Sequence, residues 1–406
     1  MAGRNLFSTL VGINFLTTLG LGVTDAFFSL YLTGLGARGG FLALVLTLYA
    51  GSKCLFSPLA SWWLSRLGTR RSLLLCLWGQ LLIALGFLAT DHLYAIVLLR
   101  ILQGGLSALF RPLMLSLISD LAEPRCRGRT AARIDLAFYS ALALGPLLGG
   151  TLGDHFGYAG VYGLLALSAS FSLGLAVTLP GESGRTETLP PSRRPVLGMV
   201  GLCRDPALQS LLIYIFIRTL GIAQVGLFWP MRLRDAIGLS LSQTGTVLAA
   251  SSLMTLVLLQ TGGWLSDRCC RYRMMVGCSA GTALGLLLMA VVQEYAQALL
   301  LGAWLGGLTA LAQPACTSLL LQQGERFERG AALGVFHLVL NLGFVFGPLL
   351  GGSLLASCGL SSVFVATGLL TLTASAFLWV RFSSASPSGW GEHCAVGAEH
   401  RRQPGG

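Results

Sequence analysis

The most regular feature of the sequence is a succession of apolar runs near twenty residues long, separated by short breaks of charged residues, glycine and proline. A run of about twenty apolar residues crosses the hydrocarbon core of a bilayer as a helix, whereas a membrane β-strand needs only about ten residues of alternating polarity. The pattern therefore predicts an all-α membrane protein with twelve transmembrane helices. We place these helices at 7–32, 41–62, 72–90, 93–118, 131–153, 159–179, 208–231, 241–263, 274–293, 297–320, 331–355 and 360–381.

The composition supports this class of protein. Hydrophobic residues make up 54% of the 406 residues and charged residues 11%, and the mean hydropathy is +0.73. A soluble domain carries about 25% charged residues, so a chain of this length and composition cannot build a water-exposed surface. We therefore exclude a soluble globular protein.

The basic residues are distributed unevenly between the two sides of the predicted membrane. With the N-terminus inside, twenty of the 27 Lys and Arg residues lie on the inner side and three on the outer side, while Lys53, Arg100, Arg111 and Arg218 lie within helices. Because short cytoplasmic loops accumulate positive charge, this predicts a protein of the plasma (inner) membrane with both termini cytoplasmic. The basic residues form no separate basic domain, which argues against nucleic acid as a partner.

The second half of the chain repeats the first at a constant offset of 202 residues. The sequence Gly-Gly-Leu at 104–106 recurs at 306–308, and Gly-Pro-Leu-Leu-Gly-Gly at 145–150 recurs at 347–352. Six predicted helices separate the copies, so both halves cross the membrane in the same direction, which is a known transporter architecture. We predict two pseudo-symmetric six-helix bundles at 1–180 and 207–382, a cytoplasmic linker at 181–206 and a disordered cytoplasmic tail at 383–406.

A basic turn follows helix 2 and recurs after helix 8. The first copy contains Ser65, Arg66, Gly68 and Arg70, and the second contains Gly263, Asp267 and Arg268. A carboxylate in such a turn can hold the N-terminus of a facing helix by charge and dipole, so we interpret the turn as a gating contact. A positive-inside stop signal is the alternative, and it explains the arginines but not Asp267.

Helix 4 carries Arg100, Gln103 and Gly104 in its outer part. An arginine inside a membrane helix costs about 2.5–3.5 kcal/mol on insertion scales, which favours a functional role over simple snorkelling to the outer surface. Arg111, near the inner end of the same helix, fits snorkelling better.

Helices 5 and 11 share a proline and glycine pattern. It comprises Gly145, Pro146, Gly149 and Gly150 in helix 5, and Gly343, Gly347, Pro348, Gly351 and Gly352 in helix 11. Proline bends a helix and glycine lets a neighbouring backbone approach closely. These helices are therefore candidates for the seam between the halves, and ordinary tight packing is the alternative.

Together these features resemble the major facilitator superfamily over nearly the whole chain. The family pattern after helix 2 is Gly-x-Leu-x-Asp-Arg-x-Gly-x-Arg, in which Ser65 here replaces the aspartate. Helix 4 matches the family's Arg-x-x-Gln-Gly, and helix 5 matches a pattern associated with exporters and antiporters, as in its drug/proton-antiporter-like branch. The resemblance implies that helices 1, 4, 7 and 10 line a central cavity, that helix 5 faces helix 8, and that helix 11 faces helix 2.

Seven polar residues within the predicted helices are candidates for the substrate or proton path: Asp25, Lys53, Arg100, Gln103, Asp135, Arg218 and His337. Asp25 and Arg100 lie at matching depth in two cavity-lining helices. Burial favours the neutral form of a carboxyl group, and a nearby arginine favours the charged form. We therefore expect a pair whose carboxylate takes or releases a proton as the cavity rearranges, with a static ion pair as the alternative.

The other candidates lie deeper or nearer the inner surface. Arg218 is near the middle of helix 7, so we expect it to meet an anionic or polar substrate group, or else a buried carbonyl or carboxylate. Asp135 and His337 are related by the 202-residue offset, and Lys53 lies at a depth that lets it share a site with His337. The alternative is that Asp135 and His337 are only wetted residues of the inner mouth.

The resulting interpretation is a secondary transporter that works by alternating access. Proton-coupled efflux of small organic or amphipathic molecules is the leading hypothesis. Uptake, by proton symport or facilitated diffusion, and a non-transporting receptor on the same scaffold are the alternatives. We expect no enzymatic activity, no metal site and no cofactor, with the proton gradient as energy source; the expected partners are a small-molecule substrate and the lipid bilayer, and the chain is expected to be a monomer.

Overall fold

The computed structural model describes residues 2–57, 66–121, 127–179, 206–324 and 329–384, and these residues form long helices joined by short turns, with no β-strand among them. The helices of the first half are α1 (Ala2–Gly34), α2 (Gly39–Phe56), α3 (Thr69–Ala89), α4 (Leu93–Leu121), and α5 (127–156) and α6 (158–177) within the helical segment Arg127–Val177. Those of the second half are α7 (Pro206–Asp235), α8 (Leu241–Arg268), α9 (Arg271–Met289), α10 (Tyr295–Gly324), α11 (Arg329–Cys358) and α12 (Leu360–Ser384).

The segment Arg127–Val177 contains two membrane crossings. Its 51 residues would span about 77 Å as one straight helix, more than twice the thickness of the hydrocarbon core. Gly157 breaks the segment with φ 63° and ψ −160°, a conformation that favours glycine. Its copy in the second half, Gly359, has φ 84° and separates α11 from α12. With this division the described chain has the predicted twelve crossings.

The predicted linker and tail cannot be compared with the structure. Nearly all of the linker at 181–206 and of the tail at 383–406 lies outside the described residues, as does the predicted inner end of helix 2 beyond residue 57. The division into two bundles at those boundaries therefore stays a prediction.

The two halves pack internally in the same way. In the first half α1 packs on the α5–α6 segment and α2 on α4; in the second half α7 packs on α11 and α12, and α8 on α10. Between the halves the α5–α6 segment contacts α8, α2 contacts α11, and α1 contacts α7. The pairs α5–α8 and α2–α11 are the seams that the resemblance implies.

The two ends of the bundle differ in how the halves meet. We call the end that carries the turns at 35–38, 90–92, 236–240 and 290–294 the outer end, and the opposite end the inner end. At the outer end one hydrophobic core joins the halves and includes Phe28 and Tyr31 with Trp229 and Phe364. At the inner end the described buried residues form two separate cores, one in α1, α3, α4 and α6, and one in the second half. Among the described residues, the halves are therefore closed against each other at the outer end and open, with separate cores, at the inner end.

Candidate functional site

The structure brings Asp25 and Arg100 together between α1 and α4. The Arg100 Nη2 atom lies 2.6 Å from Asp25 Oδ1, and the Arg100 side chain is 2% exposed while that of Asp25 is 42% exposed. Arg100 Nη1 donates a second hydrogen bond, of 2.6 Å, to Gln103 Oε1. The arginine is thus buried and held on both sides, whereas the carboxylate is reachable by water or by a ligand.

Aromatic rings surround the buried guanidinium. The Arg100 Cζ atom lies 3.8 Å from the centroid of the Tyr49 ring and 4.1 Å from that of Phe28. The Tyr49 hydroxyl donates a hydrogen bond of 3.4 Å to Asp25 Oδ2, and Lys53 Nζ lies 4.1 Å from the centroid of the same ring. Such ring faces attract cations, so Tyr49 connects the ion pair in α1 and α4 to the lysine in α2.

Arg218 has a different environment in the second half. Its Nη1 atom donates a hydrogen bond of 2.8 Å to Gln313 Oε1, and its Nη2 atom contacts the Thr309 carbonyl oxygen at 3.4 Å. Among the described residues no carboxylate lies within salt-bridge distance of it, since the ion pairs found there are Asp25 with Arg100 and Asp267 with Arg271. Arg218 is therefore a half-buried cation held by neutral acceptors.

A cavity of about 160 Å³ lies beside this arginine. Its lining residues come from α5, α8 and α10: Tyr139, Leu142, Ser251, Ser252, Thr255, Leu259, Thr309, Ala310 and Gln313. Four hydroxyl-bearing residues of α5 and α8, and Gln313, whose amide oxygen accepts a hydrogen bond from Arg218, thus line one space.

The Arg111 charge acts on residues of two other helices. It influences Asp135 and Tyr139 in α5 and His337 in α11, and its Cζ atom lies 5.1 Å from the centroid of the Phe138 ring. The Arg111 side chain is exposed, and its interpretation as a snorkelling residue stays a prediction. His337 feels the charge of Arg111, whereas Lys53 lies against the Tyr49 ring in the first half. Gln313, which binds Arg218, is the copy of Arg111 at the 202-residue offset. The internal repeat therefore relates Arg111 to a residue that contacts Arg218 in the second half.

The two basic turns differ in backbone conformation. Gly68 has φ 76° at the start of α3, whereas its copy, Cys270, has φ −62° at the start of α9. Asp267 lies 3.8 Å from Arg271, one turn further along the same half, and is 74% exposed. A contact of Asp267 with the other half is therefore not made in this conformation, which is open at that end.

Other members of the turns have neighbours of their own. Arg70 donates a hydrogen bond of 3.1 Å to the Val177 carbonyl oxygen of α6, and the Arg268 Cζ atom lies 4.1 Å from the Trp264 ring centroid. Arg66 is exposed, a Cβ atom on Gly263 would meet open space, and Ser65 lies outside the described residues. The gating role of these turns stays a prediction.

In each half, the glycines of the proline and glycine pattern contact two neighbouring helices. In α5, a Cβ atom on Gly145 or Gly149 would meet α1 at 3.0 Å or less, whereas one on Gly150 would overlap the Leu241 carbonyl oxygen of α8. In α11 the first three glycines of the pattern, Gly343, Gly347 and Gly351, likewise meet α7, and Gly352 meets Ala43 of α2. Pro146 and Pro348 lie inside these helices. The last glycine of each pattern therefore forms the seam between the halves.

A carboxylate closes one of these seams at the outer end. Asp154, near the end of α5, accepts hydrogen bonds from the backbone N–H groups of Leu241 at 2.9 Å and Ser242 at 2.8 Å, in the first turn of α8. A negative charge at a helix N-terminus is favourable because the N–H groups there lack partners within the helix. The sequence analysis missed this contact, since it joins two helices that are far apart in the chain.

Comparisons with known proteins agree with this architecture. The family model described as Major Facilitator Superfamily matches residues 10–229 and 211–392. The chain is 26% identical to the multidrug resistance protein MdtG of Salmonella paratyphi A. The alignment extends over 388 residues and covers 93% of this chain and 95% of MdtG. It is 25% identical over 307 residues to the uncharacterized MFS-type transporter YuxJ of Bacillus subtilis (strain 168), covering 73% of this chain and 76% of YuxJ. The crystal structure of the nucleoside transporter NupG superposes with a TM-score of 0.78 at 13% identity, covering 93% and 100% of the two chains.

Proposed function

Because the chain belongs to the major facilitator superfamily of transporters, we propose that it is a proton-coupled exporter of small organic molecules that works by alternating access. The observation that carries this proposal is the ion pair of Asp25 with Arg100, in which a buried cation is matched by a carboxylate that is 42% exposed. The similarity to a multidrug resistance protein supports the direction of transport.

We assign the coupled proton to Asp25, because its carboxylate is 42% exposed and lies 2.6 Å from the buried Arg100 guanidinium. A movement of α1 relative to α4 that lengthens this contact separates the carboxylate from the guanidinium. This coupling of a movement to a proton is the minimum that antiport requires.

The seams provide the surfaces on which the halves move. Gly150 brings α5 against the backbone of α8, and Gly352 brings α11 against Ala43 of α2, so these surfaces can slide or separate at small cost in packing. The conformation that is open at the inner end is the one in which an exporter whose inner end faces the cytoplasm loads its substrate. Opening of the outer end requires the outer core and the contact of Asp154 with α8 to separate.

The test is gradient-driven transport in proteoliposomes that contain the purified full-length chain. We expect wild-type protein to accumulate substrate from a panel of small organic molecules when a pH gradient is imposed, and the Asp25→Asn variant to lose this accumulation while it keeps substrate exchange without a gradient. Asp91→Asn, in the exposed outer turn, is the matched control and should behave as wild type. Wild-type accumulation by Asp25→Asn would exclude Asp25 as the coupling group.

The direction of transport is tested separately in whole cells. An exporter lowers the cellular content of a substrate, and addition of a protonophore restores it. Uptake by proton symport, the alternative hypothesis, predicts the opposite change in both steps. Binding of a substrate without flux in either direction would instead support a receptor on the transporter scaffold.

A further inference from the structure

The charges inside the membrane do not balance. Outside the first and last turns of the predicted helices, the described basic residues are Lys53, Arg100, Arg111 and Arg218, and the acidic ones are Asp25 and Asp135. Asp25 pairs with Arg100 at 2.6 Å, and Lys53 lies against the Tyr49 ring. Arg218 is held by neutral acceptors alone among the described residues, as is Arg232 near the outer end of the same helix. Of these two arginines, Arg218 is the one whose partners line a cavity.

An uncompensated cation at this depth is costly unless its site has a use. Removal of a charged group from water is compensated by a paired charge or by several strong hydrogen bonds. Arg218 has the Gln313 side chain and one long contact to a carbonyl oxygen. A guanidinium has five N–H donors, so this arginine retains capacity to bind an anion.

The adjacent cavity offers the other groups that an anion needs. Ser251 and Ser252 bring side-chain hydroxyl groups to its α8 wall, and Tyr139 brings one to its α5 wall. The Thr255 hydroxyl on the α8 wall donates to the carbonyl oxygens of Ser251 and Gly306 instead. The Gln313 side chain and the Thr309 carbonyl group, on the α10 wall, link the cavity to the Arg218 guanidinium. The lining contains no acidic residue, and the site therefore favours negative ligands.

From these observations we infer that the cavity beside Arg218 binds the acidic group of the substrate, and that the transported molecules are organic anions such as carboxylates or sulfonates. This inference rests on the proposed transport function and names its substrate class. The volume of about 160 Å³ is below the range of complete pockets for drug-sized molecules, so the cavity holds the charged end. The rest of the molecule lies in the space between the halves.

The geometry assigns separate roles within the site. Arg218 supplies positive charge next to the cavity, since it hydrogen-bonds to two of the lining residues, Thr309 and Gln313. Gln313 orients the guanidinium through its bond of 2.8 Å. Because α5 and α8 both line the cavity, and because they meet across the seam between the halves, a bound anion contacts both bundles and is sensitive to their separation.

Binding is tested with two dyes that share one ring system and differ in charge, dansylglycine as the anion and dansyl-ethylenediamine as the cation. Fluorescence titration of the purified protein should show binding of the anion with a preference of about tenfold or more over the cation. Arg218→Gln should weaken anion binding by about 10- to 100-fold, since a charged hydrogen bond is lost, and Arg218→Lys should restore part of it. Arg271→Gln, at the inner turn and remote from the cavity, is the control that should leave binding unchanged.

The outcomes separate this inference from the proposed function. Dansylglycine that binds through Arg218 but is not accumulated in proteoliposomes supports the anion site and contradicts proton-coupled transport. Accumulation of the cationic dye, with no effect of Arg218→Gln on either dye, supports transport and overturns the anion site. Equal binding of both dyes to the wild type would also overturn it.

Discussion

The two halves of the molecule share a backbone plan but fill it with different chemistry. At the 202-residue offset, Tyr49 and Lys53 of α2 correspond to Ser251 and Thr255 of α8. The first pair adjoins the ion pair of Asp25 with Arg100, and the second pair lines the cavity beside Arg218. The small hydroxyl residues thus leave open in the second half a region that an aromatic ring and a lysine occupy in the first.

The backbone around these positions is conserved between the copies in the structure. A Cβ atom on Gly104 of α4 would lie 2.6 Å from the Tyr49 carbonyl oxygen, and one on its copy, Gly306 of α10, would overlap the carbonyl oxygen of Ser251. The helix pairs α2–α4 and α8–α10 are therefore both in close backbone contact at this point. The difference between an ion pair and a cavity goes with the different side chains at these positions.

The two halves therefore differ in the role of their arginines, in agreement with the two proposals. The first half holds its arginine with a carboxylate that can exchange a proton, and the second half holds its arginine with neutral groups beside a space for a ligand. Coupling between them passes through the seam of α5 and α8, since Tyr139 of the first half lies in the wall of the second-half cavity.

The strongest test of the comparison is to give the second half the side chain of the first. Ser251→Tyr should fill the cavity, because the interior is close-packed and offers no other room for the ring. We expect dansylglycine binding to fall by more than about 100-fold, as measured by fluorescence titration. Ser252→Ala, which removes a hydroxyl from the same wall without filling it, should change binding by less than about tenfold.

Size-exclusion chromatography and thermal unfolding show whether the Ser251→Tyr protein is folded. A folded variant that binds the anion as tightly as the wild type would contradict the placement of the ligand in this cavity.

A second test compares the stability contributed by the two arginines. Breaking a buried ion pair costs about 3–5 kcal/mol, and the half-exposed position of Asp25 reduces this expectation to about 2 kcal/mol for Asp25→Asn. Arg218→Gln removes a cation that has no described carboxylate partner, so it should leave stability unchanged or raise it. Thermal unfolding in detergent measures both.

The double variant Asp25→Asn, Arg100→Gln controls for the unpaired charge. It should recover most of the stability lost in Asp25→Asn, because no buried cation remains without a partner. If Arg218→Gln proves as destabilising as Asp25→Asn, the two arginines have equivalent structural roles and the comparison fails.

The fold was largely readable from the sequence because the bilayer imposes a simple length rule on apolar runs. The predicted helices end at 153 and 355 and begin again at 159 and 360, which leaves Gly157 and Gly359 between them, and both have positive φ in the structure. The matching depths of Asp25 and Arg100 along their helices were also readable, since depth follows from the residue count at 1.5 Å per residue.

The residues that were missed depend on the direction in which a side chain points around its helix. The contact of Asp154 with the first turn of α8 follows from the packing of the two halves and leaves no mark in the sequence around either residue. Ser251 and Thr255 are small residues in an apolar run and carry no signal alone. They become informative when they are compared with Tyr49 and Lys53 at the 202-residue offset, because small side chains stand there in place of large ones.

The last and smallest effect concerns the outer seams, where the two halves also differ. Asp154 caps the N-terminus of α8, whereas its copy, Ala356, lies at the N-terminus of α2, 3.7 Å from a Cβ atom built on Gly39. A charge at a helix terminus contributes about 0.3–1 kcal/mol when exposed. Asp154→Asn should therefore raise the ratio of outer-open to outer-closed protein by about two- to fivefold, and Ala356→Asp should lower it by a similar factor.

Pulsed electron paramagnetic resonance can measure this shift with spin labels at two equivalent outer turn positions, 91 and 293, in a background without other cysteines. Both positions are exposed, and they belong to opposite halves, so their separation increases when the outer end opens. His155→Ala, next to Asp154 and also exposed, is the control for local perturbation. The opposite signs expected for Asp154→Asn and Ala356→Asp are the decisive feature, because a general loosening of the outer end would move both variants in the same direction and would show that the carboxylate on α8 has no role in holding that end closed.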